Sequence, residues 1–155
     1  MDTDKLQMEI LRKKFDKIYY QVKDDDVYVS PKGHCLYIVP QHRWYLNFET
    51  LKSLVDCREC DIKKQYGKYL NTYNEFPEYI ATTDIRITKF APSKKIIKLI
   101  APGGKEMFVD KGYLDMFVKG SSEINFYAAN ENLLIVSCME HGINKIAGMI
   151  TRVRV

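Results

Sequence analysis

The stretch Glu106–Val155, EMFVDKGYLDMFVKGSSEINFYAANENLLIVSCMEHGINKIAGMITRVRV, decides how this chain is read. Met107-Phe108-Val109 is a short apolar run between Glu106 and Asp110, the pattern of a strand. Tyr113, Leu114 and Phe117 then recur at helical spacing, which predicts a short helix. Three β-rich runs follow, Ile124–Ala128, Leu133–Cys138 and Ile146–Val155; in the last, Arg152 and Arg154 alternate with Val153 and Val155 and so share one face. A terminal run that stays a strand must be held in a sheet, because a loose end frays. The expectation is a β-α-β-β-β unit around which the rest of the chain packs.

With 155 residues, the chain is read as one domain spanning 1–155, large enough to bury a proper core. Apolar residues at 46% and charged residues at 28% are ordinary globular values, which argues against disorder. No apolar run approaches the roughly 20 residues of a membrane span. The opening Met1-Asp2-Thr3-Asp4 is acidic and lacks the apolar core of a signal peptide. These features predict a cytoplasmic protein with no membrane partner. In that compartment the four cysteines are expected to stay as thiols. The net charge of +4 permits an acidic partner such as DNA without requiring one.

Upstream of the C-terminal unit, Tyr79–Thr82, Asp84–Phe90 and Lys94–Ala101 read as strands, with turns at Ala91-Pro92-Ser93 and Ala101-Pro102-Gly103-Gly104. Asn47 is placed to cap a helix carrying Phe48, Leu51, Leu54 and Val55. Beyond Cys57 the pattern weakens; Ile62, Tyr66 and Tyr69 keep a helical step, but Gly67 interrupts it. Val27–Ser30 and His34–Val39 form a hairpin through Ser30-Pro31-Lys32-Gly33, and Gln41–Leu46 reads as a further strand. Residues 6–22 admit two readings. Met8, Leu11, Phe15, Ile18, Tyr19 and Val22 fall on one helical stripe, which suits a helix from about Asp4 to Lys23 capped by Thr3 or Asp4. Leu6 and Ile10 lie off that stripe, which suits a strand at 6–10 followed by a helix at 11–22. The single helix is preferred, with Asp24-Asp25-Asp26 ending it and turning the chain. The fold class is therefore α+β, with about eight strands in antiparallel sheets and two or three helices. It divides into one half at about 1–47, a helical connection at about 48–76 and a second half at about 77–155.

Three kinds of site can be weighed. On the helical reading Lys13, Lys14 and Lys17 point away from the apolar stripe and Arg12 flanks it, a row of cations able to neutralise phosphates without reading sequence. The ordinary alternative is a solvated outer face. Cys57 and Cys60, with Cys138 and His141, would make a Cys₃His set of the kind that holds structural zinc. Against this, Cys138 closes an apolar strand, where an inert buried thiol is usual. Catalysis has little support: His34, His42 and His141 are scattered, and no phosphate loop, dinucleotide loop or nucleophile elbow occurs. Asp24-Asp25-Asp26 is read as a solvated turn. The chain is expected not to be an enzyme and to need no cofactor.

Met107-Phe108-Val109 running into Lys111-Gly112-Tyr113-Leu114-Asp115-Met116-Phe117, then Glu123-Ile124-Asn125-Phe126, Leu133-Leu134-Ile135-Val136 and Met149–Val155, resembles the last half-domain of the bacterial DNA polymerase III β sliding clamp. Gly33–Val39 followed by His42-Arg43-Trp44 is similar to the strand and Gly-His-Arg segment of the same family. The resemblance implies a domain of two strand-helix-strands halves and a role around duplex DNA in replication. A ring would need several copies, because this chain holds one such domain. Where the family ends on a Met-Pro-Met-Arg type tail that helps form a partner-peptide pocket, this chain has Thr151, Arg152, Val153 and Arg154. The expected function is a non-enzymatic, self-associating DNA-binding protein that contacts duplex phosphates through basic helix faces. The alternative is a protein–protein adaptor with a zinc clip.

Overall fold

A computed structural model describes residues 1–31, 33–62, 79–80, 85–91, 94–100, 106–118, 124–130, 132–140 and 143–153. The chain begins with helix α1 (Thr3–Leu11), followed by strands β1 (Lys17–Lys23), β2 (Asp26–Pro31) and β3 (Cys35–Pro40). A single 3₁₀ turn (Gln41–Arg43), helix α2 (Phe48–Leu54) and strand β4 (Asp56–Glu59) come next. The second part holds β5 (Tyr79–Ile80), β6 (Ile85–Ala91), β7 (Lys94–Ile100), β8 (Glu106–Asp110), helix α3 (Lys111–Val118), β9 (Ile124–Asn130), β10 (Leu133–Glu140) and β11 (Ile143–Thr151). The class is α+β, as expected.

Eight strands form one sheet in the order β4-β1-β2-β3-β11-β10-β9-β5, and β6-β7-β8 form a second. All pairings are antiparallel except β1 with β4. The order contains a repeat. A helix followed by a three-strand meander occurs as α1-β1-β2-β3 and again as α3-β9-β10-β11. The two meanders meet where β3 pairs with β11, Tyr37 opposite Gly148 and Cys35 opposite Ile150. An antiparallel seam of this kind relates the two units by a rotation about an axis through the sheet.

Both helices lie on the same face. Leu6 and Ile10 of α1 and Leu114, Met116 and Phe117 of α3 share one core with Ile18, Val29, Tyr37 and Val136 of the sheet. Leu51 of α2 and Ile97, Leu99, Met107 and Val109 of the second sheet join the same core. A smaller cluster, Leu36, Ile135, Ile146 and Met149 with Ile62, is buried on the other face. Gly148 sets how closely α3 approaches: a Cβ there would lie 2.6 Å from Phe117 Cζ and 2.0 Å from the Leu36 carbonyl oxygen. The Tyr37 hydroxyl donates to the Tyr113 carbonyl (3.0 Å), and its ring lies 4.8 Å from that of Phe117, fixing α3 over the seam.

The N-terminal region departs from both readings of residues 6–22. Asp2 caps α1 by accepting from the Lys5 amide (2.9 Å), but the helix stops at Leu11. Lys13 N–H donates to the Ile10 carbonyl and Lys14 N–H to the Glu9 carbonyl, with Lys13 at φ 56°, the geometry of a Schellman end. The buried stripe is Thr3, Leu6, Gln7 and Ile10, so Leu6 and Ile10, which the helical wheel set aside, face the core, while Met8 and Leu11 face solvent. Residues 17–23 are a strand because Ile18 and Tyr20 alternate into the core, and the run is rich in β-branched and aromatic side chains. Asp24 and Asp25, at φ 51° and 66°, turn β1 into β2 as a two-residue hairpin loop rather than closing a helix.

Gln41–Leu46 is not a strand. The 3₁₀ turn is followed by an extended segment whose backbone is satisfied by a side chain: Gln7 Nε2 donates to the Arg43 carbonyl (2.9 Å), and Gln7 Oε1 accepts from the Tyr45 amide (2.7 Å). Asn47 does cap α2, accepting from Thr50 N–H (3.1 Å). The last strand ends at Thr151, short of the expected Val155; beyond it Arg152 N–H donates to Asn132 and Val153 N–H to Phe108 of β8. The weak helical step through Tyr66 and Tyr69 and the turns at Pro92-Ser93 and Pro102-Gly103-Gly104 lie outside the described residues.

Candidate nucleic-acid interface

The four cations singled out in the sequence do not form a helix face. Arg12 closes α1, Lys13 and Lys14 form the turn that leaves it, and Lys17 opens β1. Arg12, Lys13 and Lys14 are all exposed. Lys17 is half-buried, with its Nζ 5.1 Å from the centre of the Tyr19 ring. The Schellman end turns the chain off the helix axis at Lys13 and Lys14, which leaves both side chains in solvent. Three positive charges at a helix C-terminus also complement the macrodipole, which is the purely structural account of them.

Beside this turn, a cleft of about 260 Å³ runs between α1 and the start of α3. Lys5, Glu9, Lys14, Phe15, Asp110, Tyr113 and Asp115 line it, so the cleft carries two lysines and three carboxylates. Asp115 is ion-paired with Lys111 across one helical turn, and Asp110 accepts from the Gly112 amide (2.7 Å) at the start of α3. Burial, with the nearby Cys35 and Asp110, pushes the Tyr113 phenol up to about 12, so it stays a neutral donor at physiological pH. The cleft is therefore mixed in charge, and the cationic character is confined to the turn at its edge.

The Cys₃His set is not assembled in its described part. Cys57 lies on β4 and Cys138 on β10, five positions apart in the sheet, on the order of 24 Å at about 4.8 Å per strand. Cys57 packs in the larger core and Cys60 against the smaller one, because residues three apart on extended backbone face opposite ways. Burial raises both thiols above their ordinary value, which disfavours the thiolate a metal needs. His141 lies outside the described residues. Among the described residues, no group of three or more His, Cys, Asp or Glu is placed to hold a metal ion.

Sequence reasoning missed the segment docked against α1 by Gln7. Gln7 is buried, and its amide reaches Thr3, Arg43 and Tyr45. That arrangement sets Tyr45 beside α1 with its side chain in solvent. A glutamine inside a helical run gives no signal of such a role in the sequence, and Tyr45 read as one more strand aromatic. Comparison with protein-family models, with curated proteins and with solved structures finds no match to this chain. Among the described residues, no helix is long and apolar enough to cross a membrane.

Proposed function

We propose that this protein is a non-enzymatic, DNA-associated binding protein built like a sliding-clamp domain. On this reading it self-associates in the cytoplasm and holds duplex phosphates through Arg12, Lys13, Lys14 and Lys17, in the service of DNA replication. The observation that carries the reading is the exposed Arg12-Lys13-Lys14 turn, which ends a helix lying on the same sheet face as its counterpart in the second unit. The repeat of helix and three-strand meander supports the clamp-like part in the helix-then-strands portion of the two strand-helix-strands halves that the resemblance implies; a strand precedes the helix only in the second unit, where β8 leads into α3. The contact differs from the expected one in being a loop at a helix end, not a helix face.

Phosphate neutralisation of this kind makes affinity fall with salt and leaves it indifferent to base sequence. Four cations on four phosphates give a slope of log affinity against log salt of about −3.6, and Lys13→Glu with Lys14→Glu should flatten it by about 1.8. Fluorescence anisotropy on a labelled duplex reads this directly, and sedimentation with and without the duplex reads assembly. A monomer indifferent to duplex at low salt removes the reading.

The mixed charge of the cleft between α1 and α3 favours a second reading, a protein–protein adaptor. It is carried without a zinc clip, because the strand order separates Cys57 from Cys138.

A further inference from the structure

Helix α1 buries one stripe, Thr3, Leu6, Gln7 and Ile10, and turns Lys5 and Glu9 to the cleft it shares with α3. Its outward side carries two apolar residues between two charges. Met8 and Leu11 are 47% and 46% exposed, and Asp4 and Arg12 are exposed at either end. Tyr45, 73% exposed, extends the apolar part: Gln7 holds its amide, and Leu11 follows Gln7 by one turn on the same flank of the helix. Of the six large apolar side chains exposed among the described residues, these three share one surface, while Val22, Leu54 and Val118 stand singly on β1, α2 and α3. Single exposed apolar residues are ordinary, but a gathered set marks a contact surface.

The charges indicate what that surface fits. Asp4 lies four residues before Met8 and Arg12 four after it, about 6 Å along the helix axis to either side. Neither side chain has an ion-pair partner among the described residues. A face that is acidic at one end, apolar in the middle and basic at the other complements itself when turned end for end. Two copies of α1 laid antiparallel about a two-fold axis at Met8 would set Asp4 of each level with Arg12 of the other, with Met8 and Leu11 facing their counterparts. The helix macrodipoles favour the same arrangement, whereas a parallel one would bring like charges together. We infer that the outward face of α1 is a self-docking surface through which two copies of this chain pair antiparallel, the same patch serving both. The inference rests on the self-association part of the proposed function and names its surface; it does not depend on DNA. Lys13 and Lys14 lie past the end of the pair. Two helical turns and one ring fall short of the roughly 800 Å² per partner of a standard interface, so the dimer should be weak, with a Kd in the micromolar range.

Sedimentation equilibrium of the full chain without DNA, from about 5 μM to about 1 mM, tests this. The parent should show a concentration-dependent dimer. Asp4→Arg sets an arginine opposite Arg12 of the other copy, and Arg12→Asp sets an aspartate opposite Asp4. Each variant alone should raise the dimer Kd roughly tenfold or more. Mixed in equal amounts, the two variants restore both opposite-charge pairs and should associate about as well as the parent, a rescue that damage to the fold cannot produce. Met8→Glu places like charges face to face on the axis and should remove the dimer. Because Met8 is exposed, that variant should melt with the parent. A parent that stays monomeric throughout removes both the inference and the self-association reading. A parent that associates, with Met8→Glu and both charge variants unaffected, overturns the inference and assigns self-association to another face. Failure of the mixed variants to recover, when each alone is weakened, also overturns it, since antiparallel pairing requires the rescue.

Discussion

Lys13 occupies the residue after a helix that favours glycine, because its φ of 56° brings Cβ against the following carbonyl. Replacing it removes that clash, so Lys13→Gly should raise stability by about 1 kcal/mol in denaturant melts. On the DNA-binding reading it should weaken duplex binding at the same time, an opposite movement that a purely structural lysine would not give. Asp26 offers a test in pH. Burial raises its carboxyl above the ordinary value, the charges of Asp25 and Asp24 add to the rise, and Lys145 opposes it. A carboxyl whose folded pKa is raised holds its proton more tightly in the fold than in the unfolded chain. Its contribution is present below the unfolded pKa and is lost as pH rises through the folded one. Asp26→Asn should therefore gain stability over the parent at neutral pH and lose that advantage in acid, as read by urea midpoints across pH.

At the scale of elements, the seat of α3 is the most constrained contact. Gly148→Ala would drive a methyl into the Leu36 carbonyl and the Phe117 ring, and backbone must move to admit it. A loss of about 3 kcal/mol is expected, the upper end for overpacking. Partial recovery on combining it with Phe117→Leu would show that the ring, and not the carbonyl alone, is the obstacle. The same region was the most legible in the sequence: β8, α3, β9 and β10 follow from clean alternation and one helical stripe, and Asn47 announced α2. The N-terminus was not legible for a definite reason. The signal that ends α1 is a lysine in a glycine-type conformation, so nothing in the residue types marked the stop. Ile18, Tyr19 and Val22 fell on a helical stripe by chance, while the true stripe, Leu6 and Ile10, had only two apolar members in a nine-residue helix. Gln41–Leu46 has strand-like residues, but Gln7 supplies the hydrogen bonds a neighbouring strand would have given. Of the candidate site, the cluster of cations could be read, but the shape of the turn could not, because a lysine holds its glycine-type position, nor could the place of Tyr45, which depends on Gln7 38 residues away.

For the whole molecule, two helix-and-meander units share one sheet, and one core reaches from α1 to the second sheet. The edge strands of the eight-stranded sheet are short. β5 is two residues long, and β4 is four residues with Asp56, Arg58 and Glu59 exposed, which limits unplanned pairing with other chains. The seam is different in kind from every other pairing of the two meanders. Hairpins β1–β2, β2–β3, β9–β10 and β10–β11 close over short connections, whereas β3 and β11 join segments more than a hundred residues apart through three register pairs, Tyr37 with Gly148, Leu36 with Met149 and Cys35 with Ile150, extended by Thr151 donating to the His34 carbonyl. Closing so long a loop costs entropy before those few contacts can repay it. Order of folding follows from this: each meander can assemble on its own helix first, and the two should dock late. In pulse-labelled hydrogen exchange during refolding, amides of the β1–β2 and β9–β10 ladders should gain protection ahead of those at Cys35–Tyr37 and Gly148–Ile150. Simultaneous protection would place the seam in the folding nucleus instead. Late docking means that the face carrying both helices comes into being only when the two halves of the chain find each other, so a chain arrested before that step would have its meanders but no shared surface to offer a partner.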